Sequence, residues 1–193
     1  FVSLQIRYFC AMQFKQVVGQ AVVKEKLIQA ATEGRVSHAL LFFGPRGSGT
    51  MPLAMAFAQY LLCENPGQED SCGVCPGCVK VSKLVHPDIH YVFPVVTSSD
   101  VGSKPVSDDY IANFRTAILT NPYIETDEWV SLLTGGEAKN KQGNISAEEA
   151  QSIIRKISLK NFEGKYKIVF IWSPEKMNAA SANKLLKSIE EPP

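Results

Sequence analysis

Apolar residues recur along the chain in two rhythms. In FKQVVGQAVVKEKLIQAATEGRVSHALLFFG, starting at Phe14, Val23, Leu27, Ala30 and Ala31 fall at i, i+4, i+7 and i+8, and Gly34 follows. That spacing marks one face of a helix with a stop signal behind it. Ala39 to Phe43 is instead a short unbroken apolar run, the pattern of a strand buried on both faces of a parallel sheet. Beyond the loop from Gly44 to Gly49, Leu53, Phe57, Tyr60 and Leu61 form the buried stripe of a second helix. Val79 to Val85 predicts a helix ended by Pro87, and Ile89 to Phe93 a second strand stopped by Pro94.

The rhythm weakens over residues 96–145. SDDYIANFRTAILT predicts a helix capped by Ser107 with Ile111, Phe114 and Ile118 on one face, broken by Asn121-Pro122. ETDEWVSLL predicts a short helix, and GGEAKNKQGN reads as a mobile loop. Regularity returns at ISAEEAQSIIRKISL, where Ser146 and Glu149 form a capping box ahead of the stripe Ala150, Ile153, Ile154 and Ile157. YKIVFIW, residues 166–172, predicts a third buried strand. Asn178 caps a last helix with Ala182, Leu185, Leu186 and Ile189 facing inward. Strands alternating with helices specify an α/β layered domain.

Composition adds boundaries. The 193 residues are 45% hydrophobic and 20% charged, as in an ordinary globular domain, and suit one core with a small appendage. A formal net charge of +1 gives no chain-wide field for nucleic acid or membranes, so any DNA contact has to come from a local patch. No run approaches the roughly 18 apolar residues of a membrane span. FVSLQIRYFC is too short and interrupted for a secretory signal, which makes a cytoplasmic protein the default. Met12 directly precedes the well-patterned segment, so residues 1–11 read as lying upstream of the natural start. The division is then an extension over 1–13 and a core over 14–193, with 63–78 inserted as a module and 97–145 as a variable insertion. That insertion reads as a solvated elaboration, with a partner surface as the alternative.

Four of the five cysteines, Cys63, Cys72, Cys75 and Cys78, cluster in CENPGQEDSCGVCPGC. Thiolates at this spacing, on turns supplied by Gly73, Pro76 and Gly77, can converge on one tetrahedral ion. Four-thiolate coordination leaves no open position for water, so a structural zinc is the reading. Free thiols, a redox C-x-x-C pair and an iron–sulfur cluster are the alternatives. Cys10 lies outside the cluster and is an ordinary thiol.

The loop GPRGSGTM sits between a strand and a helix and nearly spells G-x-x-x-x-G-K-[ST]. Gly44, Gly47 and Gly49 keep the turn. Thr50 stands where a lysine would reach the phosphates, and Met51 where a hydroxyl would bind Mg²⁺. Helix amides still offer an anion site, so weak phosphate binding is conceivable and efficient hydrolysis is not. A second half-site is damaged as well. Trp172-Ser173-Pro174 follows the strand YKIVFI where nucleotide hydrolases of this class place acidic metal ligands, and Glu175 comes late. His38, His86 and His90 read as packing or surface residues. Arg155, Lys156 and Lys160 form a solvated basic face, with contact to DNA phosphates as the alternative. Arg46, inside the loop, could replace the missing lysine charge only in part.

Together, FKQVVGQ (Phe14 to Gln20), LFFGPRGSG, the four-cysteine module, His86-Pro87-Asp88 and ANKLLKSIEEPP (Ala182 to Pro193) resemble the bacterial clamp-loader subunits of DNA polymerase III, over residues 14–95 and 146–193. Within that family, gamma/tau subunits keep the loop lysine and an Asp-Glu strand end, and delta subunits lack the cysteines. Delta prime subunits combine the cysteines with a ruined nucleotide site, and the chain is similar to these. The resemblance implies a P-loop NTPase-like (AAA+) three-layer parallel sheet, strand order 5-1-4-3-2, with helices on both faces and a small four-cysteine zinc module. It implies no catalysis by the chain itself, with a phosphate loop at Gly44, Gly47, Gly49 and Thr50 that is empty or weak. The implied role is a scaffold in the ring that loads the sliding clamp onto primed DNA, beside gamma/tau and delta subunits. Delta prime subunits also offer an arginine finger in a Ser-Arg-Cys motif, which would fall beyond Pro193 with the lid and collar. The chain therefore reads as a fragment, truncated before the sensor strand and lid. The strand between 39–43 and 166–172 would be missing, so those two segments pair directly or a neighbouring molecule fills the gap. Competing readings are a gamma/tau-like ATP-driven motor subunit, a small-molecule P-loop kinase using Arg46, and a zinc-containing nucleic-acid module, which the near-neutral charge disfavours.

Overall fold

In the computed structural model the described residues are 13–98, 101–136 and 142–190. The expectations for residues 1–11, Cys10 and the closing Glu191-Pro192-Pro193, and part of the loop around residue 139, lie outside them. Seven helices and two strands follow one another among the described residues. They are α1 (Ala21–Thr32), α2 (Thr50–Leu61), α3 (Pro76–Ser82), β1 (Ile89–Val92), α4 (Ile111–Thr120), α5 (Thr126–Leu133), α6 (Ala147–Ile157), β2 (Ile168–Ile171) and α7 (Ala179–Glu190). β1 and β2 pair in parallel with Ile89 opposite Ile168 and Val92 opposite Ile171. A parallel pair needs a long crossover, and α4, α5 and α6 all lie within it. α6 packs on α7, and α2 on α1 and α3.

The α/β class holds, and the parallel pair of 89–92 with 168–171 is the 3-2 neighbour pair of the expected order, but among the described residues the sheet has only these two strands. Residues 39–43 form no strand, and Leu41 is 79% and Phe43 91% exposed. The reason is physical: a strand is held by its ladder, and β1 pairs with one edge of β2 while no segment among the described residues pairs with the other. Apolar pattern alone could not supply that ladder. α1 buries no residue fully, and Leu27 and Ala31 only lean on the Phe14–Phe57 cluster. On α7, Leu185 and Ser181 point inward while Leu186 and Ile189 are exposed, so the expected stripe is narrower than its sequence.

The largest core cluster joins Met51 and Met55 of α2, Val81 of α3, Tyr91 and Phe93 at β1, Phe114 and Ile118 of α4, Trp129 of α5 and Phe170 of β2. Phe93 and Phe114 stack at 4.1 Å, and Trp129 meets Phe93 edge-on at 5.3 Å. Such aromatic pairs add about 0.5–1.5 kcal/mol each beyond area burial. The indole N–H of Trp129 donates to the Pro94 carbonyl at 2.8 Å. Residues 97–145 are therefore no solvated elaboration, because Phe114, Ile118 and Trp129 are among the most deeply buried side chains.

Several caps differ from expectation in an informative way. Ser107 does not cap α4, whose N-cap is Tyr110. Its buried hydroxyl accepts from Phe93 N–H (3.0 Å) and donates to Phe93 O (3.2 Å), satisfying backbone just past β1. Ser146 Oγ accepts from Glu149 N–H as expected. The Glu149 carboxylate leaves the capping box and takes the buried N–H of Ser107 instead. Burial pushes the Glu149 carboxyl up. Asn178 caps α7 as expected, accepting from Ser181 N–H at 2.8 Å.

Asp88, in His86-Pro87-Asp88, clasps the turn before β2. Its carboxylate accepts from the backbone N–H groups of Phe162 (2.6 Å), Glu163 (2.9 Å) and Gly164 (2.6 Å). Burial alone would raise its pKa, but the three donors together outweigh burial and hold the carboxyl below its ordinary value.

Candidate metal knuckle and phosphate loop

The two ends of α2 carry two polar loops. At its C-terminal end, the Sγ atoms of Cys63, Cys72, Cys75 and Cys78 all lie within 4.8 Å of one another. Cys72–Cys78 and Cys63–Cys75 are 3.9 and 4.0 Å apart. Tetrahedral coordination at a Zn–S distance of about 2.3 Å requires sulfurs about 3.8 Å apart, so the set fits a zinc-sized ion. None of the four is in a disulfide. The loop turns because Cys75 is the N-cap of α3, with Pro76 starting the helix. Gly77 is required by contact, since a Cβ there would stand 2.5 Å from the Leu62 carbonyl.

Backbone donors point at the sulfurs. Cys72 N–H donates to Cys63 Sγ (3.3 Å), Cys75 N–H to Cys72 Sγ (3.4 Å) and Cys78 N–H to Cys75 Sγ (3.4 Å). Backbone hydrogen bonds from Val74 and Cys75 lower the Cys72 thiol to about 6, whereas burial pushes Cys63 and Cys78 up. A divalent cation among them would favour all four thiolates. The knuckle is tied to the segment ahead of α1: Asp70 accepts from Phe14 and Lys15 N–H, both at 3.0 Å.

At the N-terminal end of α2 lie Gly44, Gly47, Gly49 and Thr50, with Gly49 as N-cap. Met51 is buried in the main core and offers nothing to the loop. Gly47 N–H donates to Glu125 Oε1 at 3.0 Å. Arg46 pairs with Asp127 at 3.1 Å, so its charge faces α5 rather than the loop centre. Trp172, after β2, sits 6.1 Å from the Phe114 ring and 6.3 Å from Trp129. Ser173 is buried, and Glu175 is exposed. Sequence reading missed Tyr123 and Glu125, which reach Gly49 and Gly47 from 74 and 78 positions away, and Thr126, which meets Ser173 across 47 positions, all beyond any local pattern.

The remaining candidates fall into packing roles. His86 is buried, its Nδ1 accepting from Asp88 N–H at 3.1 Å, and burial depresses it. Burial likewise depresses His90. The His38 ring contacts the Ile189 carbonyl at 2.7 Å. Lys156 is paired with Asp108 at 2.7 Å, which partly neutralises the basic face. No helix among the described residues is long and apolar enough to cross a membrane.

A sequence model of the family described as DNA polymerase III, delta subunit, matches residues 19–193. The chain belongs to that family. The matched range spans residues 97–145, the segment that carries Phe114 and Trp129. The chain is similar to DNA polymerase III subunit delta' of Escherichia coli (strain K12), 27% identical over 88% of this chain and 37% of the relative. For the subunit delta' of Pseudomonas aeruginosa the figures are 28%, 81% and 34%. The DNA polymerase III subunit tau of Bacillus subtilis (strain 168) is 30% identical over 61% of this chain and 21% of the relative. The chain thus spans little more than a third of the delta' relatives it matches. Its likeness to delta' relatives over more than four fifths of its length makes it of the delta prime type.

Proposed function

We propose that the chain is the N-terminal AAA+ region of a delta prime subunit, a non-catalytic scaffold in the DNA polymerase III clamp loader that places the sliding clamp on primed DNA in the bacterial cytoplasm. The observation that carries this reading is the family match over residues 19–193. Geometry supports its non-catalytic part. Thr50 brings no charge to the loop, Met51 is buried in the core, and Trp172 packs on aromatics where a metal-binding carboxylate would stand. Cys63, Cys72, Cys75 and Cys78 hold a structural zinc, which would lock a polar loop too poor in apolar side chains to hold itself. The gamma/tau and delta subunits are the proposed partners, with clamp and primed DNA met through the assembled complex. In this reading 63–78 is an inserted zinc module and 97–145 an insertion built into the core.

A second reading, a gamma/tau-like ATP-driven motor, is favoured by relatives of that name. One, from Mycobacterium tuberculosis (strain ATCC 25618 / H37Rv), is 40% identical over 39% of the chain. The deciding experiment is a stoichiometric pull-down of the native full-length protein with the same organism's subunit that carries an intact G-x-x-x-x-G-K-T loop. Co-elution of a defined complex, with no ATP turnover by this protein alone, is expected. Failure to associate, or turnover by the protein alone, would sink the scaffold reading.

A further inference from the structure

The glycine loop already faces an anion, and that anion belongs to its own chain. Gly47 adopts φ +75, a left-handed conformation that glycine takes without strain, while the next amide, Ser48 N–H, is spent inside the turn on Pro45 O at 3.1 Å. Its N–H donates to Glu125 Oε1 at 3.0 Å, and Arg46, the one cationic side chain in the loop, is drawn 3.1 Å from Asp127. Two residues before Glu125, the ring of Tyr123 stands 3.1 Å from where a Cβ on Gly49 would lie. The Tyr123 hydroxyl accepts from Val18 N–H at 3.0 Å. One residue after Glu125, Thr126 Oγ1 meets Ser173 Oγ at 2.6 Å. A single turn of chain therefore touches the loop, the segment before α1 and the end of β2 at once.

Ser173 gives this contact further weight. It is a non-glycine residue at φ +54, a strained conformation that persists only where its surroundings hold it. Thr126 is the side chain that meets it.

The turn is also braced from behind. Ile124 and Trp129 are buried in the main core, Tyr123 N–H is held by Asn121 Oδ1 (3.0 Å), and Glu125 N–H by Glu128 Oε2 (3.2 Å). Any one of these surface contacts would be weak alone. Their convergence on a rigid turn is what makes an occupant of it.

We propose that residues Tyr123–Asp127 are an internal ligand of the phosphate loop: the Glu125 carboxylate takes the amide donor that a phosphate oxygen would take, and Tyr123 and Asp127 close the loop against nucleoside polyphosphates. The loss of nucleotide binding then has two layers, the missing lysine and a carboxylate-bearing plug. Two acidic side chains at the loop also repel the several negative charges of a triphosphate. This goes beyond the clamp-loader role and does not depend on it.

The test uses the full-length protein and its E125Q/D127N variant, titrated with inorganic triphosphate and with ATP, each with and without Mg²⁺. Wild type is expected to show no measurable binding at millimolar ligand. The variant is expected to gain at least about tenfold in affinity for the free triphosphate. In parallel, the Gly47 amide is expected to exchange faster with solvent in Glu125→Ala, which removes the acceptor altogether, by a similar factor, with the near-UV aromatic signal unchanged as the check on folding. Equal affinity in wild type and variant, including none in either, overturns the proposal. So does unchanged exchange at Gly47.

Discussion

Helix α2 joins two loops made of similar material, and they finish differently. Cys63–Cys78 and Gly44–Gly49 are both polar and glycine-bearing, and both point backbone N–H groups toward an acceptor. In the knuckle, all four ligand atoms come from one short stretch, and their Sγ atoms gather within 4.8 Å to leave room for an ion. In the phosphate loop, the acceptor is a carboxylate from α5's leading edge, supplied by a distant part of the same chain. The contrast teaches that a glycine loop's amide can be met either by ligands of its own stretch or by a carboxylate from a distant part of the chain. The knuckle offers no such alternative, since sulfurs packed this closely are stable as thiolates only around a cation.

The largest effect is expected on the knuckle. Removing the cation with a strong chelator withdraws binding free energy on the order of 10 kcal/mol, much of it folding free energy of residues 63–78. One zinc per chain is expected by elemental analysis of the purified protein, falling to none in Cys78→Ser together with a lowered melting temperature. Protein that is fully folded and metal-free would remove one side of the comparison.

Next comes the brace of the plug. Trp129→Ala should cost about 3–5 kcal/mol in urea denaturation, because it empties the site beside Phe93 and Phe114. A loss below about 1 kcal/mol would mean that the aromatic cluster does not anchor α5.

A smaller effect, about 2 kcal/mol, is expected for Asp88→Asn, which replaces a charged acceptor of three N–H groups by a neutral one. The folded carboxyl titrates below its unfolded value, so its stabilisation is complete above about pH 4 and is lost as the pH falls through the depressed folded value. The gap between wild type and variant should accordingly close on acidification. A gap that widens as the pH falls would refute the clasp. Smallest of all, Asp127→Ala removes an exposed ion pair with Arg46 and should change stability by no more than about 0.5 kcal/mol. A loss above about 2 kcal/mol would show that the plug is structural rather than a loop occupant.

What could be read from the sequence follows the same line between local and distant. The cysteine knuckle was legible because its ligands sit within one loop. So were the α2 stripe of Leu53, Phe57 and Tyr60, and the caps at Ser146 and Asn178, which depend on residues three or four apart. The run 39–43 was misread because strand formation is decided by a partner, and no partner pairs with it. Ser107 looked like a cap because its spacing to α4 is right, whereas its hydroxyl is drawn to Phe93. Glu125 was invisible as a loop occupant because nothing near residue 125 encodes the position of Gly47. The burial of 97–145 was obscured by its polar helix faces, although Phe114, Ile118 and Trp129 carry its apolar side.

The parallel register of β1 and β2 has a consequence for the order in which the molecule assembles. Ile89 and Ile168 stand roughly 80 positions apart, so closing their ladder early would carry a large loop entropy. Phe93, Phe114 and Trp129 are much nearer one another in the chain and can gather first, bringing α4 and α5 against β1. The nucleus is then expected in the aromatic cluster, with β2 docking afterwards as the closing step. Changes at Trp129 should slow folding, whereas changes at Ile168 should mainly hasten unfolding.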